Sequence, residues 1–314
     1  MSPDYRPDLV SIIVPTHNRA NLVVNAAESA LKQLHRPVEL VVVDDGSTDG
    51  TERILTDWGH HHTTTEFAVR YLKKPKGGAP SARNEGLLHS RGEFVQFLDS
   101  DDALGRHKLT AQVGVLKRFP EIDYVWSRSV RSKQYLPLDE STPRAPLRIY
   151  RDRKRVVAPM RVSDGLYRRS ICVAVGPWNV RLHRYQDWEY NIRALSLCRS
   201  VAFLDIVAYV VLLHDSARIS RTTKHVYAEQ IFAAYEELNR CAYPYVDDYL
   251  KRFMCSQALT SASFLLLEEG ALQDAANAAR LARREAPLSQ QKAKALAYEL
   301  GLRLAPRMIS RFVR

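Results

Sequence analysis

Three carboxylates, Asp99, Asp101 and Asp102, fall within four residues at the end of the stretch GEFVQFLDSDDAL, Gly92 to Leu104. Acids packed this closely repel one another, and only full solvation or a cation offsets that. Oxygen donors without nitrogen or sulfur suit Mg²⁺ or Mn²⁺, which keep some waters and take further oxygens from phosphates. The cluster therefore invites a phosphate-bearing ligand, with a solvated acidic turn as the plainer alternative. The acids follow a nearly continuous apolar run, Phe94, Val95, Phe97 and Leu98, of the kind buried on both faces of a mostly parallel sheet. Charged groups are costly in such a core, so they should emerge at the strand's carboxyl end, where open α/β sheets bind ligands.

The elements that would position them come in alternation. Leu9–Val14 and Val38–Val43 read as two more buried strands, the first ending in Pro15-Thr-His-Asn-Arg19 and the second in Asp44 and Asp45. Between them a helix runs from about Ala20 to Leu34, with Asn18 or Thr16 as its cap. Ser47 reads as the cap of a helix over Gly50–Trp58, Val69–Leu72 as a short strand, and Gly77–Ser81 as a loop into a helix over Ala82–Ser90. Four strand–helix alternations in about a hundred residues predict a doubly wound α/β half with polar strand ends aimed at one crevice. The run His60-His61-His62 lies in a polar segment and reads as a solvated loop, not a metal site.

Beyond the acids, Arg106–Phe119 reads as an amphipathic helix, Tyr124–Val130 as a strand, and Ser132–Val156, with Pro137, Pro143 and Pro146, as an irregular acceptor-side region. Gln186–Leu197 is a helix with Asp187 in its first turn, and Val201–Leu213 is a strand ending at His214. From Lys224 the composition turns to Ala, Leu, Arg and Glu in helical segments near 224–239, 245–269, 271–285 and 288–304. Residues 1–222 are expected to form one domain and 223–314 a C-terminal helical region.

The 314 residues are 46% hydrophobic, enough for a sizeable core, and carry a formal net charge of +11, which favours anionic partners. The four cysteines have no metal or disulfide-framework spacing, and the polar start of the chain has no signal-peptide core. The longest apolar run, Val201–Leu213, is interrupted by Asp205 and falls short of the roughly 20 residues a membrane span needs. The expectation is a cytoplasmic protein.

Taken together, Ser11–Arg19, Glu39–Asp49, Ser81–Gly86 and Gly92–Asp102 resemble the inverting, metal-dependent family 2 glycosyltransferases of the GT-A fold. That resemblance implies a GT-A type doubly wound mixed sheet followed by a helical region. It implies transfer of a sugar from a nucleotide-diphosphate donor, a UDP-sugar foremost, to an acceptor hydroxyl in polysaccharide or glycoconjugate synthesis. By the same resemblance Pro15 and His17 would meet the nucleoside base, and Asp45 would accept from the base N3. Arg19 would be a phosphate candidate, Asn18 a further nucleotide-sugar contact, and Arg83 and Asn84 would face the nucleotide. Asp99-Ser100-Asp101 corresponds to the Asp-x-Asp signature, with Asp101, Asp102 and His214 as ligands of Mn²⁺ or Mg²⁺. Gln186-Asp187 stands where Glu-Asp is usual, which makes Asp187 the general base and leaves one carboxylate fewer near the acceptor.

Three other readings are weaker. A nucleic-acid binder rests on charge alone, with no aromatic and basic platform, and a Rossmann dehydrogenase needs a Gly-x-Gly-x-x-Gly turn that Pro-Thr-His-Asn-Arg is not. A non-catalytic scaffold with a degenerate site is opposed by the presence of Asp45, Arg83, Asp99, Asp101 and Asp187. The helical tail is open to three roles: homodimer formation, contact with a glycan, lipid-linked or polypeptide acceptor, and peripheral contact with an anionic membrane face.

Overall fold

A computed structural model describes residues 5–134, 146–151, 161–213, 223–241 and 243–287. The chain divides into two compact units, Met1–His183 with Leu197–Asp215, and Arg184–Ser196 with Ser216–Arg314.

The first unit opens with β1 (Arg6–Thr16), α1 (Ala20–Leu31), β2 (Val38–Asp44), α2 (Thr51–His62), β3 (Phe67–Lys73), α3 (Ala79–His89) and β4 (Gly92–Phe97). β2 is buried at all of its positions, as its run of valines demands. β3, β2, β1 and β4 lie side by side and parallel, with Ile12 opposite Leu40 on one neighbour and Gln96 on the other. α3 packs flush on this sheet because Gly86 has no side chain; a Cβ there would lie 2.4 Å from Ile13 Cγ2.

The sheet then turns mixed. β8 (Gly165–Arg168) is antiparallel to both β4 and β6 (Ile122–Ser132). β9 (Ser200–Leu212) runs parallel to β6, and the short β5 (Asp102–Leu104) and β7 (Leu147–Tyr150) are antiparallel to β9. α4 (Lys108–Arg118) and α5 (Arg169–Val175) complete the helices of this unit. β8 approaches β6 only because Gly165 is bare; any Cβ would sit 2.0 Å from the Tyr124 ring.

Several sequence expectations are corrected here. His60, His61 and His62 form the last turn of α2, where His62 stacks on Trp58 with ring centroids 4.4 Å apart. Neither Asn18 nor Thr16 caps α1: Arg19 occupies that position without a capping side-chain bond, and Gly50 rather than Ser47 precedes α2. The region over Ser132–Val156 is not wholly irregular, since Leu147–Tyr150 pairs with β9. That strand is only four residues long and follows Pro146, so its alternation was too brief to read.

The second unit holds α6 (Gln186–Leu197, up to Ser196), α7 (Lys224–Cys241), α8 (Asp248–Glu268) and α9 (Leu272–Glu285). α8 and α9 pack through small residues, with Ala262, Ala275, Ala278, Ala279 and Ala282 buried and Ser263 Oγ donating to the Ala275 carbonyl at 2.8 Å. Between them Gly270 takes φ 79°, and the Gly270 and Ala271 amides close back on the Leu267 and Leu266 carbonyls in a Schellman turn. The expected helix over 288–304 lies outside the described residues.

Candidate active site

Four parallel strands deliver their last residues, Thr16, Asp44, Lys73 and Phe97, to the same edge of the first unit. The Asp45 amide donates to the Thr16 carbonyl at 2.8 Å, tying the first two strand ends together. Asn18, exposed and left-handed at φ 50°, strengthens that tie: its amide donates to Ser47 Oγ and its Oδ1 accepts from the Thr48 amide, both at 2.8 Å. This explains why Asn18 and Ser47 cap no helix. Pro15 is buried at the end of β1, and His17 is half-buried. Thr16 Oγ1 and His17 Nδ1 are buried polar atoms with no hydrogen-bond partner, as expected of groups that face a ligand.

Asp45 is almost completely enclosed, with 4% of its surface exposed. Its Oδ1 accepts from Lys74 Nζ at 2.7 Å and from the Gly77 amide at 2.8 Å, and its Oδ2 accepts from the Gly78 amide at 2.7 Å. Gly78 reaches this position at φ 87°, a conformation that glycine adopts without penalty. Burial alone pushes the Asp45 carboxyl up, but the bonds from Lys74, Gly77 and Gly78 outweigh it and hold the group below the ordinary carboxylate range.

Two further ion pairs join separate motifs. Arg83, on α3, donates to Asp99 Oδ1 at 2.8 Å, and its guanidinium lies over the Trp178 ring at 4.7 Å. Arg19 Nη1 donates to Asp101 Oδ2 at 2.8 Å, with about a sixth of each side chain exposed. Asn84 holds the Trp178 backbone at both groups, accepting from its amide at 2.7 Å and donating to its carbonyl at 3.0 Å. Ser100 and Asp102 are buried; Asp102 begins β5 and faces the Ser163 hydroxyl at 3.5 Å.

The loop of acids is backed by a polar layer. The Asp99 amide donates to Ser163 Oγ at 3.3 Å. Behind Ser163, the fully buried Lys108 ammonium donates to Gln96 Oε1 at 2.7 Å, Gln112 Oε1 at 2.6 Å and the Asp164 carbonyl at 3.4 Å. Burial pushes the Lys108 pKa down to about 7, against the opposing pull of Asp164.

Among the described residues no three His, Cys, Asp or Glu side chains are grouped to hold a metal by themselves. The donor set present still fits a hard divalent cation whose shell is mostly diphosphate and water oxygen, because that arrangement asks the protein for only one or two carboxylates. Asp101 and Asp102 are of that kind; His214 lies outside the described residues.

Asp187 belongs to the second unit, in the first turn of α6. Its Oδ1 accepts from the Trp188 amide at 3.1 Å. Two residues on, Glu189 and Arg193 form a fully buried pair at 2.7 Å. Arg193 lies 5.2 Å from the Tyr190 ring and 4.8 Å from that of Tyr243.

Lys74 and Trp178 do not stand out in the sequence. The basic, glycine-rich run Lys73-Lys74-Pro75-Lys76-Gly77-Gly78 directly after a strand was the available signal for the first. Trp178 had none, since its contact with Arg83 spans ninety-five positions.

Residues 11–172 match the family described as "Glycosyl transferase family 2", and the chain belongs to that family. A putative teichuronic acid biosynthesis glycosyltransferase of Bacillus subtilis, TuaG, is 39% identical over 105 residues, which cover 33% of this chain and 40% of that protein. The chain spans well under half the length of the curated relatives it matches. Among solved structures, Staphylococcus aureus TarS 1-349 in complex with UDP-GlcNAc superposes with a TM-score of 0.65 at 18% identity, covering 95% of this chain and 91% of that one. The mannosyltransferase PcManGT of Pyrobaculum calidifontis, in complex with GDP-Man and Mn²⁺, gives 0.61 at 19% identity, covering 98% and 84%. These likenesses show the fold, a GT-A type mixed sheet.

Proposed function

We propose that the chain is an inverting glycosyltransferase that moves a sugar from a nucleotide-diphosphate donor, UDP-linked by preference, to an acceptor hydroxyl of a growing glycan. The observation that carries this reading is the bond between Arg19 and Asp101, which puts the end of β1 and the Asp-Ser-Asp turn after β4 in contact at the sheet's carboxyl edge. A cation-binding carboxylate and a phosphate-binding guanidinium at one place are what a diphosphate leaving group requires.

In this reading Pro15 and His17 border the base and Asp45 accepts its N3–H. A carboxylate offers about four acceptor positions, and three are used by Lys74, Gly77 and Gly78. Asn18, Arg19, Arg83, Asn84, Asp99 and Ser100 frame the diphosphate and sugar. Asp101, Asp102 and His214 are the residues assigned to Mn²⁺ or Mg²⁺, which when bound would neutralise charge developing on the departing diphosphate. Asp187 takes the proton of the attacking hydroxyl. Of the relatives, TarS was captured with a UDP-sugar, PcManGT with a GDP-sugar and Mn²⁺, and TuaG is named for a cell-wall polymer, which supports a nucleotide-sugar donor, a divalent cation and a glycan acceptor. Among the described residues no helix is long and apolar enough to cross a membrane.

Thermal-shift titration with a panel of UDP- and GDP-sugars, with and without Mn²⁺, tests the proposal. Stabilisation by UDP-sugars that grows with Mn²⁺ is expected; absence of any shift with every donor would leave only a fold without the activity.

A further inference from the structure

The helix that carries Asp187 is not part of the sheet-bearing unit. It is enclosed with the C-terminal helices, where one contact fixes those helices to each other and three more hold α6 and the residue before it. Glu269, at the end of α8, accepts from the Lys224 and His225 amides at 2.7 and 2.8 Å, fixing the start of α7. One turn into α7, Tyr227 meets Tyr185 edge to face, with ring centroids 5.5 Å apart. Further along, the Asp247 amide donates to Ser196 Oγ at 2.9 Å and Tyr243 lies against the buried Arg193, which secures the far end of α6.

Tyr185 is the residue through which this reaches the carboxylate. It stands two positions before Asp187, and its carbonyl accepts the first bond of the helix, from the Glu189 amide at 3.0 Å. It does so at φ 56°, a left-handed conformation that a bulky aromatic adopts only when its surroundings impose it. Trp188 on one side, at 6.3 Å, and Tyr227 on the other are those surroundings. Burial first, then the bond and charge of Tyr227 and the Asp187 charge, shift the Tyr185 phenol far upward.

We propose that Tyr227 is a positioning residue for the transfer reaction: acting through Tyr185, it holds the left-handed turn that aims Asp187. This rests on Asp187 as the general base. A base misplaced by about an ångström loses rate without loss of donor binding, because the donor contacts lie elsewhere in the chain.

Three variants of the full chain test it, with UDP affinity measured by calorimetry and turnover as UDP released by hydrolysis, water standing as acceptor, of UDP-glucose, UDP-galactose or UDP-GlcNAc, each supplied alone with Mn²⁺. Tyr227→Ala should lower kcat at least tenfold while the UDP Kd and the donor KM stay within twofold. Tyr227→Phe keeps the ring and should recover most of the rate. Tyr185→Gly adopts the left-handed turn freely but has no ring to tether, so it should fold and show the same kcat loss. Should Tyr227→Ala fail to fold, Tyr185→Gly tests the same tether without it. Wild-type kcat in Tyr185→Gly, beside an inactive Asp187→Asn, would overturn the positioning role alone. An active Asp187→Asn would instead remove the base and the inference with it, and a parallel loss of UDP affinity in Tyr227→Ala would mark Tyr227 as merely structural.

Discussion

Arg19 and Asp101, eighty-two positions apart, are joined at 2.8 Å where the first strand's end meets the turn after the fourth. A guanidinium in that place competes with any cation for Asp101, and in the proposed reading it also serves the donor's phosphates. The two roles separate in Arg19→Met. Manganese affinity of the nucleotide-free protein should rise by about tenfold, equivalent to about 1.4 kcal/mol, while UDP binding weakens. Titration of Mn²⁺ followed by electron paramagnetic resonance measures the first and calorimetry the second; weaker Mn²⁺ binding would show that Arg19 supports the metal rather than opposing it.

Asp45 bears on acid stability. Its folded pKa is depressed, so its contribution is complete above the unfolded value near 4 and is lost as the pH falls through the lower folded value. Asp45→Asn cannot accept at both groups from Lys74, Gly77 and Gly78, and about 1–3 kcal/mol should be lost at neutral pH. Below pH 4 the two proteins should converge, since the wild type is then losing the charge the variant never had. Urea unfolding at pH 3 and pH 7 checks this; an equal gap at both would contradict it.

Lys108 acts with the same sign at the other end of the pH axis. With a folded pKa of about 7 and an unfolded one near 10.4, the unfolded chain binds a proton that the native protein lacks throughout this window. Stability must then rise with pH between the two values, by up to about 1.4 kcal/mol per pH unit from this group. Lys108→Met should remove that slope when urea midpoints are compared from pH 7 to pH 10. Parallel curves for variant and wild type would mean that the ammonium stays charged within its ring of glutamine oxygens.

What was legible in the sequence follows from range. β1 to β4 and their helices show because each strand is a local apolar run and each turn has local punctuation, so Asp45, Arg83, Asp99 and Asp101 could be placed on one sheet edge before any coordinates. β5, β7 and β8 did not show, being three or four residues long and defined by partners about a hundred residues away for β5, about fifty for β7 and about forty to seventy for β8. Lys74 closing on Asp45 and Trp178 under Arg83 are likewise products of the folded chain, and Tyr185's left-handed turn has no signal in its residue type.

Two acids in the first turn of α6 offer the sharpest contrast, because Asp187 and Glu189 are two residues apart and differ in everything but charge. Glu189 is wholly buried and bonded to Arg193 through both oxygens, at 2.7 and 3.0 Å. Removing its charge in Glu189→Gln strands a buried guanidinium, which typically costs about 3–5 kcal/mol. Asp187 is only half-buried, so Asp187→Asn should leave the melting temperature within a degree or two and the UDP affinity unchanged. Its turnover should nevertheless fall by about 10²–10⁴, the range for loss of a general base. Differential scanning calorimetry and the UDP-release assay, run on both variants, separate a stability acid from a catalytic one: a heat-labile, active Glu189→Gln beside a stable, inactive Asp187→Asn is the expected pair, and the reverse assignment would move the base to Glu189.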